Sequence, residues 1–293
     1  MQVFSPAKIN LSLHVTGRRD NGYHDLETLM ACVDLCDDMN LDFQASDISV
    51  KCSHPQVPED ETNLAHRAAT IFWEALARKR GVAHVPGGVA ITIDKQIPVG
   101  GGLGGGSSNA ATVLKALNHR FDSPFSRSAL MEMGLGMGAD VPFFILGGAA
   151  LARGVGEILT PCLLKPPCKI LLASPGISAS TAKVYKNIKL ALTTERKSNN
   201  NALIIACEEN RALDISVDLY NDLEVSACEL YPEIQAFKME MASLLTQKVM
   251  MTGSGASFFV LFWEDGQAGC AFDMLSRRWH GDAHKRVFLT SFI

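Results

Sequence analysis

The 293-residue chain has eight cysteines, at 32, 36, 52, 162, 168, 207, 228 and 270, yet no CxxC pair and no histidine at zinc-finger spacing from them. That lack excludes the common structural zinc sites and points to buried, reduced thiols. A long apolar run is also missing. The best stretch, Val141 to Ala152, is interrupted by Gly147 and Gly148 and falls well short of the roughly 20 residues that a membrane-spanning helix needs. The opening MQVFSPAK has no basic segment followed by an apolar run, so it does not read as a signal peptide, and a cytoplasmic protein is expected. Positive charge is not in excess: the formal net charge is −4, which argues against a protein that coats nucleic acid or an anionic membrane. No internal repeat is evident. With 47% apolar and 20% charged residues the chain reads as an ordinary folded one, long enough for two domains.

Along VFSPAKINLSLHVTG, Ile9, Leu11, Leu13 and Val15 alternate with Asn10, Ser12 and His14. This is strand periodicity, and it sets Lys8 and Asn10 on one, more polar side. Further strands are predicted at 39–43, 48–52 and 89–93. Between them Leu64, Ala68, Ile71, Phe72, Ala75 and Leu76 recur at helical spacing over 63–79. Ala110, Leu114, Leu117 and Phe121 form a second stripe, with Ser107 or Ser108 as its N-cap. A short helix is predicted from Asp140, capped by that side chain, with Pro142 in its first turn. A strand from 169, a mobile polar loop at TTERKSNNNA, helices around 200–212 and 232–245, and a strand–turn–strand over KVMMTGSGASFFVLF complete an α/β pattern. The proline-rich stretch at 160–168 marks the domain boundary, dividing 1–162 from 163–293.

The densest feature is IPVGGGLGGGSSNAATVL, residues 97–114, with six glycines in the seven positions 100–106. Gly100, Gly102 and Gly105 satisfy G-x-G-x-x-G, but Asp122, at the distance of a ribose-binding acid, ends a helix rather than a strand. No lysine precedes Ser107, so the loop is not a P-loop; Lys95 comes before it. What remains is physical. Glycines permit close backbone approach, and the helix that follows turns unbonded N–H groups into the loop, which suits phosphate. The plainer alternative is a tightly packed strand–helix turn.

Three stretches, SPAKINLSLHVTGRRDNGYHDLETLM at 5–30, PVGGGLGGGSSNAA, and MTGSGASFFVLF at 251–262, together resemble in order the three signatures of the GHMP kinases. With GADVPFF and GVGE the likeness is strongest to the branch whose acceptor is a polyol linked through a diphosphate to cytidine. The resemblance implies an α/β (α+β) protein of two domains: a ribosomal-protein-like, ATP-binding domain over 1–162 and a ferredoxin-like domain over 163–293, with the active site in the cleft between them. It implies transfer of the γ-phosphoryl of ATP, with Mg²⁺, to a small-molecule alcohol, and a monomer or weak homodimer that binds neither nucleic acid nor membrane.

The resemblance also assigns roles. Asp140 matches the catalytic aspartate, as base or orienter, and Lys8 the lysine that pairs with it. Asn10 is expected to hydrogen-bond the polyol, Tyr23 and Tyr185 to stack on the cytosine, His24 to read its edge, and Thr181 to make a neighbouring polar contact. Asn63, Leu64, Lys95 and Asn109 match positions near adenine and ribose. Pro98, Val99, Gly100, Gly101, Gly102, Leu103, Gly104, Gly105, Gly106, Ser107 and Ser108 would hold the phosphates. No carboxylate cage for the metal is visible, and nothing places Glu157 at it. The turn at Gly253–Gly255 is expected beside the phosphates or the acceptor. Plainer roles compete: a helix cap for Asp140, a solvated charge for Lys8, a surface strand residue for Asn10, ordinary packing for Tyr185, a tight hairpin for Gly253–Gly255. Two rival functions are a GHMP kinase acting on mevalonate or homoserine and a non-catalytic nucleotide or RNA binder. The aromatic set at 23, 24 and 185 argues against the first, the joint presence of Lys8 and Asp140 against the second.

Overall fold

The computed structural model describes residues 1–83, 85, 87–164, 168–189 and 219–293. The polar stretch TTERKSNNNA, the helix expected at 200–212 and Cys207 lie outside them. The chain forms two compact units, neither continuous in sequence. The first comprises Met1–Ala7, Leu35–Ile97 and Gly104–Gly147; the second comprises Lys8–Asp34, Pro98–Leu103 and Gly148–Ile293. The long strands β1 (Gln2–Arg18) and β2 (His24–Asp42) supply residues to both. The strand expected at 39–43 is the end of β2. Along β1 the alternation is real but both sides are buried: Lys8, Asn10, Ser12 and His14 are as enclosed as Ile9, Leu11, Leu13 and Val15.

In the first unit β2 pairs antiparallel with β4 (Val89–Asp94), Asp38 facing Asp94 and Asp42 facing Ala90, and β4 pairs in parallel with β3 (Ile48–Cys52). Helix α1 (Leu64–Arg80) packs on α2 (Gly105–Arg120). The seam is apolar as the periodicity requires: Ala65, Ala68, Phe72 and Leu76 on one helix, Ala110, Val113, Leu114 and Leu117 on the other, all buried. Gly81, in the left-handed region at φ 66°, ends α1. Helices α3 (Arg127–Leu135) and α4 (Val141–Leu146) complete this unit.

In the second unit β5 (Ala149–Gly154) pairs antiparallel with β2 over Leu26–Ala31 and with β6 (Ile158–Cys162), while β8 (Tyr220–Asn221) joins β1 in parallel at Ser12 and Leu13; β7 is Lys169–Ser174. A separate antiparallel sheet has the order β11 (Arg286–Thr290), β7, β10 (Phe258–Phe262), β9 (Met250–Met251). Helices α5 (Thr181–Lys186), α6 (Leu223–Leu230) and α7 (Pro232–Leu244) fall between β7 and β9, and α8 (Asp265–Arg278) between β10 and β11. That is the βαββαβ arrangement of a ferredoxin-like domain. All five residues of β10 are buried, and Phe258 packs with Ile234, Phe237 and Met241 in one core. The mixed α/β class expected from the sequence is the one observed.

The cysteines depart from the expectation of buried, reduced thiols both in bonding and in burial. Cys162 is disulfide-bonded, because proximity in space, which spacing along the chain does not record, decides pairing. Cys32 and Cys168 are buried, Cys36, Cys52 and Cys228 half-buried, and Cys270 exposed. Burial pushes the Cys168 and Cys228 thiols up to about 11, so both stay protonated at neutral pH. Among the described residues no helix is long and apolar enough to cross a membrane.

Candidate active site

The glycine run divides into two halves with different physical duties. In the second unit Gly100 and Gly102 hold φ of 69° and 77°. A Cβ on Gly102 would lie 2.4 Å from the carbonyl oxygen of Thr252, one on Gly101 2.5 Å from Ser257 Oγ, and one on Gly253 2.8 Å from the carbonyl oxygen of Gly102. Ser257 N–H donates to Gly101 O at 3.1 Å. The two glycine turns therefore lie backbone against backbone, an approach only glycine permits. Close packing is thus a real duty of residues 100–102, and the Gly253–Gly255 turn is more than a hairpin. We expect Gly102→Ala to cost at least ~1–3 kcal/mol from backbone strain, read as a lowered Tm. Gly106, helical and with only Leu64 Cδ1 within 3.5 Å of an added Cβ, should accept alanine with no fall in Tm; equal losses at both positions would refute this division.

The second half of the run opens α2. The helix starts at Gly105, two residues before Ser107, and its N-cap position is Gly104 at φ 71°, with no side-chain cap. A serine cap needs an extended backbone; the left-handed turn at 104 takes that position instead. The first helical bond runs from Ser108 N–H to Gly104 O at 2.9 Å. The N–H groups of Gly105, Gly106 and Ser107 precede it and point back along the axis, which is the geometry that receives an anion. Ser108 is fully buried, its Oγ accepting from Ser5 Oγ at 2.8 Å.

Beneath this helix start lies a buried polar cluster that sequence reading missed. Asp37 is fully enclosed. Its Oδ2 is ion-paired with Lys95 Nζ and accepts from Asn109 Nδ2 at 2.9 Å, while Oδ1 accepts the N–H groups of Gln96 and Ile97, both at 2.9 Å. Asn109 Nδ2 also donates to Ser5 Oγ at 2.9 Å. The Lys95 ammonium abuts Gly105, where an added Cβ would come within 2.7 Å of it. Lys95 and Asn109 are thus brought together, with their side chains engaged on Asp37. The signal for Asp37 was present: Leu35, Asp37, Met39 and Leu41 alternate toward the core, and an acid on that side needs a partner.

Asn63 is the N-cap of α1. Its Oδ1 accepts from Ala65 N–H at 2.8 Å and its Nδ2 donates to Pro58 O at 2.6 Å, leaving the adjoining Leu64 side chain beside Gly106. Asp140 occupies the N-cap position of α4, with Pro142 in the first turn as expected, yet makes no side-chain cap bond. The reason is its backbone: at φ −80° and ψ −15° it is helical, whereas a capping side chain hangs from an extended residue. The turn leading to it lies against α2, since an added Cβ on Gly138 would sit 3.7 Å from Ser107 Oγ.

In the second unit Lys8 is buried, not solvated: Nζ donates to Asn10 Oδ1 at 2.5 Å and its backbone N–H to Leu103 O at 3.0 Å. Asn10 N–H donates to Thr252 Oγ1 at 2.9 Å. Asn221 Nδ2, unmarked by the sequence, holds the carbonyls of Met251 and Gly253 at 2.9 and 2.8 Å. Residues of all three glycine- and lysine-bearing motifs thus meet within one unit. Thr181 Oγ1 and Ser254 Oγ lie 2.8 Å apart. The rings of His24 and Tyr185 are 5.4 Å apart and tilted by 32°. Burial first, and the charge of Arg18 second, hold the His24 imidazole below its ordinary pKa, so at pH 7 it is neutral and able both to donate and to accept. Tyr23 follows a turn closed by Arg19 N–H to Tyr23 O at 2.7 Å and is 64% exposed. If its ring stacks on a base, Tyr23→Ala raises the acceptor KM more than it lowers kcat, because stacking serves ground and transition states alike. An unchanged KM would leave the ring without a role. Among the described residues no three His, Cys, Asp or Glu side chains converge to hold a metal.

Comparison with known proteins bears on this arrangement. Residues 63–148 match the GHMP kinases N terminal domain. The chain is 41% identical over 277 residues to the 4-diphosphocytidyl-2-C-methyl-D-erythritol kinase of Alkaliphilus metalliredigens, covering 94% of this chain and 92% of that one. It is 37% identical over 287 residues to the enzyme of the same name from Syntrophomonas wolfei, covering 98% and 96%. A crystal structure of 4-(cytidine 5'-diphospho)-2C-methyl-D-erythritol kinase matches at a TM-score of 0.78 and 34% identity, over 100% of this chain and 99% of that one. Homoserine kinase from Cytophaga hutchinsonii, at a TM-score of 0.71 and 17% identity over 100% and 94%, shares the fold. The chain belongs to the 4-diphosphocytidyl-2-C-methyl-D-erythritol kinases, within the GHMP kinases.

Proposed function

We propose that the protein transfers the γ-phosphoryl group of ATP to the 2-hydroxyl of 4-diphosphocytidyl-2-C-methyl-D-erythritol, giving the 2-phosphate and ADP, a step of non-mevalonate isoprenoid biosynthesis. The observation that carries this is identity near 40% along almost the whole chain to kinases of that name. In this reading the N–H groups opening α2 seat the phosphates. The Lys8 ammonium offsets negative charge on the migrating group. The acceptor oxygen gives its proton to Asp140, bonds to the γ-phosphorus, and the bond from that phosphorus to the bridging oxygen breaks to release ADP. Mg²⁺, arriving with ATP, would offset negative charge on the phosphates.

A neutral His24 suits the cytosine edge, with Tyr23 and Tyr185 as stacking partners and Thr181 nearby. Asn10 faces the polyol, and Asn63 and Leu64 the adenine. Lys95 and Asn109 act from behind, holding the start of α2 on Asp37. The division at 162 and 163, a cytoplasmic location, a monomer or weak homodimer and the lack of nucleic-acid binding belong to the same proposal. The test is a kinase assay with labelled ATP over a panel of alcohols. Label in the cytidyl substrate alone is expected; label in mevalonate or homoserine instead, or retention on RNA with no ATP turnover, overturns it.

A further inference from the structure

The Thr28 hydroxyl donates to the carbonyl oxygen of Ser12 at 2.6 Å. A hydroxyl carries one proton, so toward Asn10, 2.8 Å away, Oγ1 can only accept. That settles which end of the Asn10 amide faces which neighbour. Nδ2 points to Thr28, and Oδ1 points to the Lys8 ammonium at 2.5 Å and to Thr252 Oγ1 at 3.5 Å. Thr28, Asn10 and Lys8 are 2%, 4% and 5% exposed, so water does not stand in for a lost partner. With the amide reversed, its NH₂ would meet an ammonium that has no acceptor, and its oxygen would meet a hydroxyl whose proton is already committed.

We infer that Thr28 is a positioning residue for phosphoryl transfer: through Asn10 it fixes the place of the Lys8 ammonium. The inference rests on the proposed role of Lys8 and Asn10 at the reaction centre. Thr28 itself touches neither substrate nor nucleotide in this account. Thr28→Val keeps the shape and removes the hydroxyl, so Asn10 loses the acceptor that orients it.

The test is steady-state kinetics of the full chain with ATP and the cytidyl substrate, alongside thermal unfolding so that every assay is run on folded protein. T28V is expected to lower kcat by up to roughly 100-fold, the size of effect that a misplacement of about 1 Å can have, with KM for ATP unchanged. Thr28→Ser, which keeps the hydroxyl, recovers most of that loss. Should T28V not accumulate folded, Thr28→Ala against T28S makes the same comparison, since both lack the methyl and only one has the hydroxyl. In an Asn10→Ala background T28V should add nothing, because the residue it acts through is gone. A full additional loss there, or wild-type kcat in T28V, overturns the positioning role. Wild-type turnover in N10A instead removes Asn10 from the reaction centre and overturns the reading beneath it.

Discussion

Asp140→Asn is expected to lower turnover by roughly 10²-fold or more, the lower range for losing a positioned proton acceptor, with ATP affinity little changed. The substitution is close to isosteric. Thermal unfolding of D140N, run alongside, keeps a loss of turnover distinct from a loss of fold. An asparagine can still accept a hydrogen bond from the acceptor hydroxyl but cannot take its proton. The comparison therefore separates two roles: a loss of the expected size marks proton transfer, and a mild one marks orientation alone. The measurement is kcat at saturating substrates with nucleotide affinity determined independently, and near-normal turnover would remove Asp140 from the mechanism.

The largest effect on stability is expected at Asp37. Replacing it with alanine leaves the Lys95 ammonium, 5% exposed, without its counter-charge, and strips an acceptor from Asn109 and from the N–H groups of Gln96 and Ile97. Removing one partner of a buried ion pair typically costs ~3–5 kcal/mol, which urea unfolding would register as a lower midpoint at similar slope. Lys95→Met in the same chain should restore part of that loss, since the stranded charge goes with it. If D37A unfolds like the parent, the cluster does not hold the start of α2.

Much of this was legible in the sequence, for identifiable reasons. Period-two alternation exposes β1, β3 and β4, and helical spacing exposes α1 and the body of α2, because in each case a single apolar stripe faces the core. The roles proposed for Lys8 and Asp140 rest on motif likeness; alternation alone left Lys8 as a surface charge, since it cannot tell a polar face that meets water from one that meets other polar groups. The two-unit division was hidden by β1 and β2, whose regular pattern runs on while the chain passes from one unit to the other. Helix α8 escaped because its buried residues, Ala268, Ala271 and Leu275, are too small and sparse to stand out. The start of α2 was misplaced because a left-handed glycine, not a hydroxyl side chain, makes the turn. Asn221 and Thr28 act by bonding specific partners far along the chain, and no local pattern announces such partners.

The bond from Ser257 N–H to Gly101 O gives the molecule a built-in reporter. That amide can trade its proton for deuterium only when the two glycine turns part, so its exchange rate is a clock for the opening of the loop, readable with no substrate present. Lys8 N–H, bonded to Leu103 O, keeps time on the loop's other end. Matching rates would mean that the loop lifts as one piece, and diverging rates that it peels from one side.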